Sequence, residues 1–175
     1  SGGSKEDVAR KVRYEFFAKA AARVNANKIA LGHTADDQAE TVLMRLIYGA
    51  GMVGLGAIAP VRKFNEYIII RPLIESSKSD VNAYLKKRRL KPRIDSSNAQ
   101  DIYKRNKIRN HLLPLLEKEY SPNIKNILVR TAESLRDNYD LISDYLLKNV
   151  FLKYIKTDKD GYIKINLKNF DKLHV

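Results

Sequence analysis

Cysteine and tryptophan are absent from the 175 residues, methionine occurs twice and histidine three times. Without cysteine these residues hold no disulfide, no thiolate zinc site and no cysteine nucleophile, and a cytoplasmic setting is the default expectation. No apolar run approaches the ~20 residues that a membrane span requires, so no membrane partner is expected. No basic-then-apolar segment of the secretory type opens the sequence. Acid is the minority charge: 20 Asp and Glu face 33 Lys and Arg, a net charge of +13. Such an excess attracts polyanions, with nucleic acid as the leading partner class. What remains is the balance of a soluble globular protein, 44% hydrophobic and 30% charged. A chain of this length buries roughly 70% of its unfolded surface, enough for a core.

The periodicity predicts alternating helices and strands. Ser4 and Asp7 mark a helix start, and Val8, Val12, Phe16 and Ala20 follow at helical spacing to about Val24. "KIALGH", Lys28 to His33, has strand length. The apolar positions 39, 42, 43, 46 and 47 then mark one face of a helix. Gly49, Gly51, Gly54 and Gly56 read as a flexible segment ending near Pro60. "YIIIRP" is a second apolar run stopped by Pro72, and Ser77 or Ser79 can cap a helix with Val81, Tyr84 and Leu85 inward. This order predicts an α/β fold in which parallel strands are joined by helical crossovers, with ligands at the carboxyl ends of the strands. His33 is at such an end. Beyond "RIDSSN", two long helices are expected, Asp101 to Leu116 and Pro122 to Lys153. The apolar stripe of the second is Ile124, Ile127, Leu128, Leu135, Leu141, Ile142, Tyr145 and Leu146. "DGYIKINL" reads as a turn and short strand, with a final helix from Lys168.

The stretch "LGHTADDQAETVLMRLIYGAG", Leu31 to Gly51, admits two readings. Thr34 and Asp37 are spaced as a capping box, and acids in a first turn suit the helix dipole. Alternatively His33, Asp36 and Asp37 form a chemical site, where a helix amino terminus offers N–H groups to an anion and carboxylates can hold Mg²⁺. Capping accounts for one acid only. In "KRNKIRN", Arg105 and Arg109 share a helical face opposite Ile108, Leu112 and Leu116, so that face is either solvated surface or a phosphate contact.

"GHTADDQAETVLMRLIYGAG" resembles the G-H-x-x-D-D-Q-x-E-T motif of the tRNA(Ile)-lysidine synthetases, members of the PP-loop family of ATP pyrophosphatases. "ARKVRYEFF", "IIIRPLIESSKSDVNAYLKKRRL" and "DSSNAQDIYKRNKIRNHLLPLL" are similar to three further stretches of that family, in the same order, and together cover about residues 5 to 118. The resemblance implies part of a PP-loop Rossmann-like parallel sheet with flanking helices, followed by the start of a helical domain. Residues 1–117 would be the carboxyl-terminal part of the ATP-binding, adenylating domain and 118–175 part of a helical tRNA-binding domain. It further implies ATP and Mg²⁺ as cofactors, with free lysine and an isoleucine tRNA bearing a CAU anticodon as substrates. Asp36 and Asp37 would be catalytic and metal-binding; His33, with the same acids, would face the nucleotide. Arg13, a further catalytic candidate, would steady a phosphate or the tRNA, and Arg105, Lys107 and Arg109 would bind tRNA.

The family's S-G-G-x-D-S loop, whose N–H groups cradle pyrophosphate, has no match: "SGGS" at the start is followed by Lys5 and Glu6. The expectation is an amino-terminally incomplete synthetase, inactive alone, whose exposed sheet edge favours a homodimer or aggregation. Thr34, Lys107 and Asn110 also depart from the usual residues of the family. A PP-loop thiolase and a noncatalytic RNA-binding module are the alternative readings, and the thiolases that use persulfide or iron–sulfur chemistry need cysteines.

Overall fold

A computed structural model describes residues 5–93, 104–151, 154–157, 159 and 161–165. Helix α1, Lys5–Arg23, leads into β1, Lys28–Ala30; α2, Ala35–Ile47, and the short α3, Met52–Leu55, follow. Strands β2, Val61–Phe64, and β3, Tyr67–Ile70, precede α4, Lys78–Lys87. The last third comprises α5, Lys104–Lys107, α6, Leu113–Glu119, α7, Ile124–Leu146, and the strands β4, Ile155–Thr157, and β5, Ile163–Ile165. A π-helical turn, Ile108–Leu112, joins α5 to α6, and a second, Leu147–Phe151, continues α7. The expected final helix from Lys168 lies outside the described residues.

The sheet has the order β1-β3-β2. β1 and β3 are parallel, with Ala30 opposite Ile70, as the alternation of strands and helices predicts. β2 differs from that expectation: it runs antiparallel to β3, with Phe64 opposite Tyr67. Its sequence, V-R-K-F, lacks an apolar run, and Asn65 makes the tight return by adopting a left-handed φ of 52°. Ile69 of β3 is fully buried. Among the described residues β1 is an edge, the feature that favours self-association.

Helix α1 turns a different face inward from the one predicted. Val8, Val12 and Phe16 are exposed, whereas Tyr14 and Ala21 are buried. The helix carries two competing apolar stripes, and the sheet selects the one whose Tyr14 ring meets Phe64 edge-on at 5.2 Å. Helix α2 buries Ala39, Val42 and Leu43 but leaves Leu46 and Ile47 exposed. Helix α4 starts at Ser77, whose Oγ accepts from the Asp80 N–H while Asp80 accepts from the Ser77 N–H. Tyr84, expected inward, is exposed.

The core joins Ala39, Val42 and Leu43 of α2 to Ile108, Leu113, Leu128 and Ala132. It crosses the boundary expected near residue 118, because the first half of α7 packs directly on α2. The second half of the predicted stripe, Leu141, Ile142, Tyr145 and Leu146, is exposed.

The glycine segment between α2 and β2 is held rather than loose. Gln38 clasps Ile58 twice, donating to its carbonyl at 2.9 Å and accepting its N–H at 2.7 Å. Arg45 donates to the carbonyls of Gly54 and Ala57, and Arg136 to those of Gly56 and Ile58. Gly54 passes so close to Ala50 that an added Cβ would lie 2.6 Å from the Ala50 Cβ.

Candidate active site

Two parallel strands end side by side, and each delivers a polar residue. His33 follows β1 and Arg71 follows β3; the Arg71 Nε–H donates to His33 Nδ1 at 3.2 Å. That bond assigns the histidine proton to Nε2. Burial holds the His33 pKa below its ordinary value, with Arg71, Arg105 and Arg13 acting in the same direction against Asp37. The imidazole is therefore neutral at pH 7. Arg71 is itself buried and also donates to the Ala59 carbonyl.

Helix α2 begins immediately after His33 and carries three acids on its first turns. Both readings of the sequence meet in Asp37. Its Oδ2 accepts from the Thr34 N–H at 2.9 Å and from the Thr34 hydroxyl at 3.1 Å, which is the capping interaction. Its Oδ1 pairs with Arg105 at 2.9 Å and lies 3.6 Å from Arg109. One turn on, Glu40 is buried, with its side chain only 3% exposed. Glu40 accepts Arg105 Nε at 2.7 Å and takes Arg109 in a forked pair, Nε at 2.6 Å and Nη2 at 2.8 Å. Asp36 faces the other way: its Oδ2 accepts the Lys78 N–H at the start of α4 at 2.6 Å, and Lys125 Nζ lies 3.3 Å from its Oδ1. Lys125 also pairs with Glu117 at 3.1 Å. Burial works against its ammonium charge, but Glu117 and Asp36 outweigh it and raise the pKa.

The fold thus brings together His33, Asp36, Asp37, Arg105 and Arg109. Arg13 is exposed on α1 but close enough for its charge to act on His33. Lys107 is exposed, two residues from each of the arginines that turn inward. Arg105 and Arg109 are neither a bare cationic face nor solvated surface, since both are held by α2 acids. The π-helical turn starts between them, a distortion that often marks functional positions in helices. Sequence reasoning passed over Glu40, Arg71, Gln38 and Lys125. Glu40 had a signal, being an acid set among the apolar positions of α2, where burial demands a partner. Lys125 had none, because its pairing depends on how α7 lies.

The acids are a poor fit to a resident magnesium site. Each oxygen of Asp36 and Asp37 already accepts from a nitrogen or hydroxyl donor, and Arg105, Arg109 and Lys125 balance Asp36, Asp37 and Glu40. Among the described residues, no three His, Asp or Glu are grouped to hold a metal. The arrangement instead receives cationic nitrogen groups on partly exposed carboxylates, beside a neutral imidazole at the ends of two parallel strands.

The PP-loop domain family matches residues 1–116. The tRNA(Ile)-lysidine synthase of Clostridioides difficile is 39% identical over 99% of this chain and 37% of its own length. That of Symbiobacterium thermophilum is 42% identical over 81% of the chain and 30% of its own length. The chain spans about a third of the length of these relatives. The solved U34-tRNA thiolase NcsA of Methanococcus maripaludis has the same fold, with a TM-score of 0.59 at 20% identity over 77% of this chain and 44% of that one. With a family match across two thirds of its residues and the strand-end geometry that goes with it, the chain belongs to the PP-loop domain family.

Proposed function

We propose that this chain is part of an enzyme that attaches lysine to C2 of the wobble cytidine of an isoleucine tRNA with a CAU anticodon, giving lysidine at the expense of ATP. The observation that carries the proposal is the joining of two distant sequence signatures in one ion-pair network. Asp37 and Glu40 of the G-H-x-x-D-D-Q-x-E-T stretch hold Arg105 and Arg109 of the second signature. In this reaction the oxygen on C2 attacks the α-phosphate of ATP and pyrophosphate leaves. The lysine amine then forms a bond to C2, the C–O bond breaks, and AMP departs.

The residues suit those steps. Neutral His33 can hydrogen-bond the nucleotide through its Nε2–H without adding charge. Asp36 already receives an ammonium group, that of Lys125, and substrate lysine would bind Asp36 or Asp37 by displacing the cation each now holds. Arg105 and Arg109, each about a quarter exposed, would meet a phosphate from the positions in which Glu40 holds them. Arg13 and Lys107, both exposed, would make outer phosphate contacts. Magnesium would arrive with ATP rather than reside on these acids.

The test is to incubate the chain with ATP, Mg²⁺, labelled lysine and the tRNA, alone and joined to the amino-terminal segment of a lysidine synthase. The expected result is incorporation only in the joined form, because these residues hold no match to the pyrophosphate-cradling loop. Incorporation by the chain alone would show that the nucleotide site is elsewhere. Binding of tRNA without incorporation in either form would favour the noncatalytic RNA-binding reading.

A further inference from the structure

Helix α4 has two ends with different tasks. Its first N–H, that of Lys78, is fixed to Asp36 at 2.6 Å. Its other end runs into "KKRRLKPR", where Lys86, Lys87, Arg88, Arg89, Lys91 and Arg93 are all exposed. None of these six cations forms an ion pair with another described residue, although acids supply partners throughout the site. Arg88 lies over the exposed Tyr84 ring, 5.5 Å from its centre. At 1.5 Å per residue, the ten residues of α4 set the cluster about 15 Å from Asp36. Along one strand of a duplex that is roughly four steps of 3.4 Å.

The backbone adds an independent observation. Helix α4 ends with the Leu90 N–H bonded to the Leu85 carbonyl and the Arg89 N–H to that of Lys86. This termination places Arg89 in the left-handed region, at a φ of 54°. Glycine occupies such a position freely and a long side chain does not. Glycine indeed fills the corresponding place after α2, where Gly49 has a φ of 77°. An arginine at the strained position sets one more cation at the centre of the cluster, where stability alone would favour glycine.

We propose that Lys86–Arg93 is a phosphate-binding surface for the RNA whose target base is presented at the His33–Asp37 site, a proposal that rests on the lysidine-forming function proposed for that site. The cations engage backbone phosphates a few nucleotides from that base, and α4 fixes the separation between the two. A merely structural role, in which basic residues complement the helix dipole, makes a different prediction for Arg89.

The experiment is a salt series of binding by the chain, read by anisotropy with the labelled isoleucine tRNA and with an unrelated duplex RNA. The variants are Arg89→Gly and the set Lys87→Gln, Arg88→Gln, Lys91→Gln, Arg93→Gln. A control set with the same charge change is Lys11→Gln, Lys19→Gln, Arg23→Gln, Lys63→Gln. Every phosphate that a variant no longer neutralises is expected to lower the slope of log K against log salt, by about 0.7 on a single strand and about 0.9 on a duplex. Arg89→Gly should neutralise about one phosphate fewer while its melting temperature stays level or rises. Cluster slopes matching those of the control, or intact RNA binding by Arg89→Gly, would overturn the proposal. So would weakened binding to phosphatidylserine vesicles with the RNA slope unchanged, which would make the surface a membrane-binding one. A fall in slope for both RNAs in a chain that makes no lysidine in its joined form would sustain the surface and overturn only the catalytic reading.

Discussion

Each acid in the first turns of α2 has a different task, so their variants should differ. Glu40 is the buried member, and Glu40→Ala leaves two guanidinium groups with Asp37 as their remaining shared partner. Because the arginines stay about a quarter exposed, the expected cost is near the lower end for a broken buried pair, about 3 kcal/mol in a denaturant melt. Asp37→Asn weakens a cap and an ion pair together and should cost about 1 kcal/mol, whereas Asp36→Asn should cost less. Lysidine formation by the joined enzyme should fall much further in both than these losses explain; activity that merely follows stability would reduce the acids to scaffolding. His33 supplies a pH dependence of definite sign. Its folded pKa lies below 6.5, so between the two values the unfolded chain binds the proton more readily and stability rises with pH. The full contribution is present above about pH 6.5 and is lost as the pH falls through the folded value. His33→Gln should flatten that part of the curve of melting temperature against pH.

At the level of elements, the segment between α2 and β2 owes its order to side chains from outside it. Gln38→Ala removes two of the hydrogen bonds of Ile58, leaving its N–H without this acceptor and its carbonyl with Arg136. Roughly 1–3 kcal/mol is the expected loss, concentrated in this segment. Hydrogen exchange should show the Ile58 amide opening faster while amides in β3 keep their protection; uniform acceleration would mean that the segment unfolds only with the whole. Gly54→Ala tests the same packing from within, since the new methyl group must displace Ala50.

For the molecule as a whole, the unpaired surfaces set the expectation. Val8, Val12 and Phe16 on α1 and Leu141, Ile142 and Tyr145 on α7 are exposed, and β1 is an edge among the described residues. Exposed apolar side chains of this kind are expected to favour self-association. Sedimentation velocity should show the chain associating as its concentration rises, and Val12→Lys with Phe16→Glu should weaken that association without unfolding α1. A monomer at all concentrations would remove the expected homodimer.

The sequence by itself determined the main helices and the two parallel strands, and it singled out the residues proposed for the site. Caps at Thr34 and Ser77, the β-branched run before Arg71 and the helical spacing beyond Lys104 are local patterns, and local patterns follow from propensity and capping. The resemblance added the pairing of signatures to one reaction. Tertiary structure decided which apolar face of α1 is buried, because two stripes were available and only contact with Phe64 distinguishes them. It turned Arg105 and Arg109 inward to Glu40, a choice that charge pattern leaves open because partner and solvent suit arginine alike. It also converted a glycine-rich segment into an ordered one, through Gln38, Arg45 and Arg136, residues from two different helices. Neutralising a buried charge and satisfying a buried carbonyl both require groups distant in the chain, and their approach is fixed only when α2, α7 and the sheet pack together.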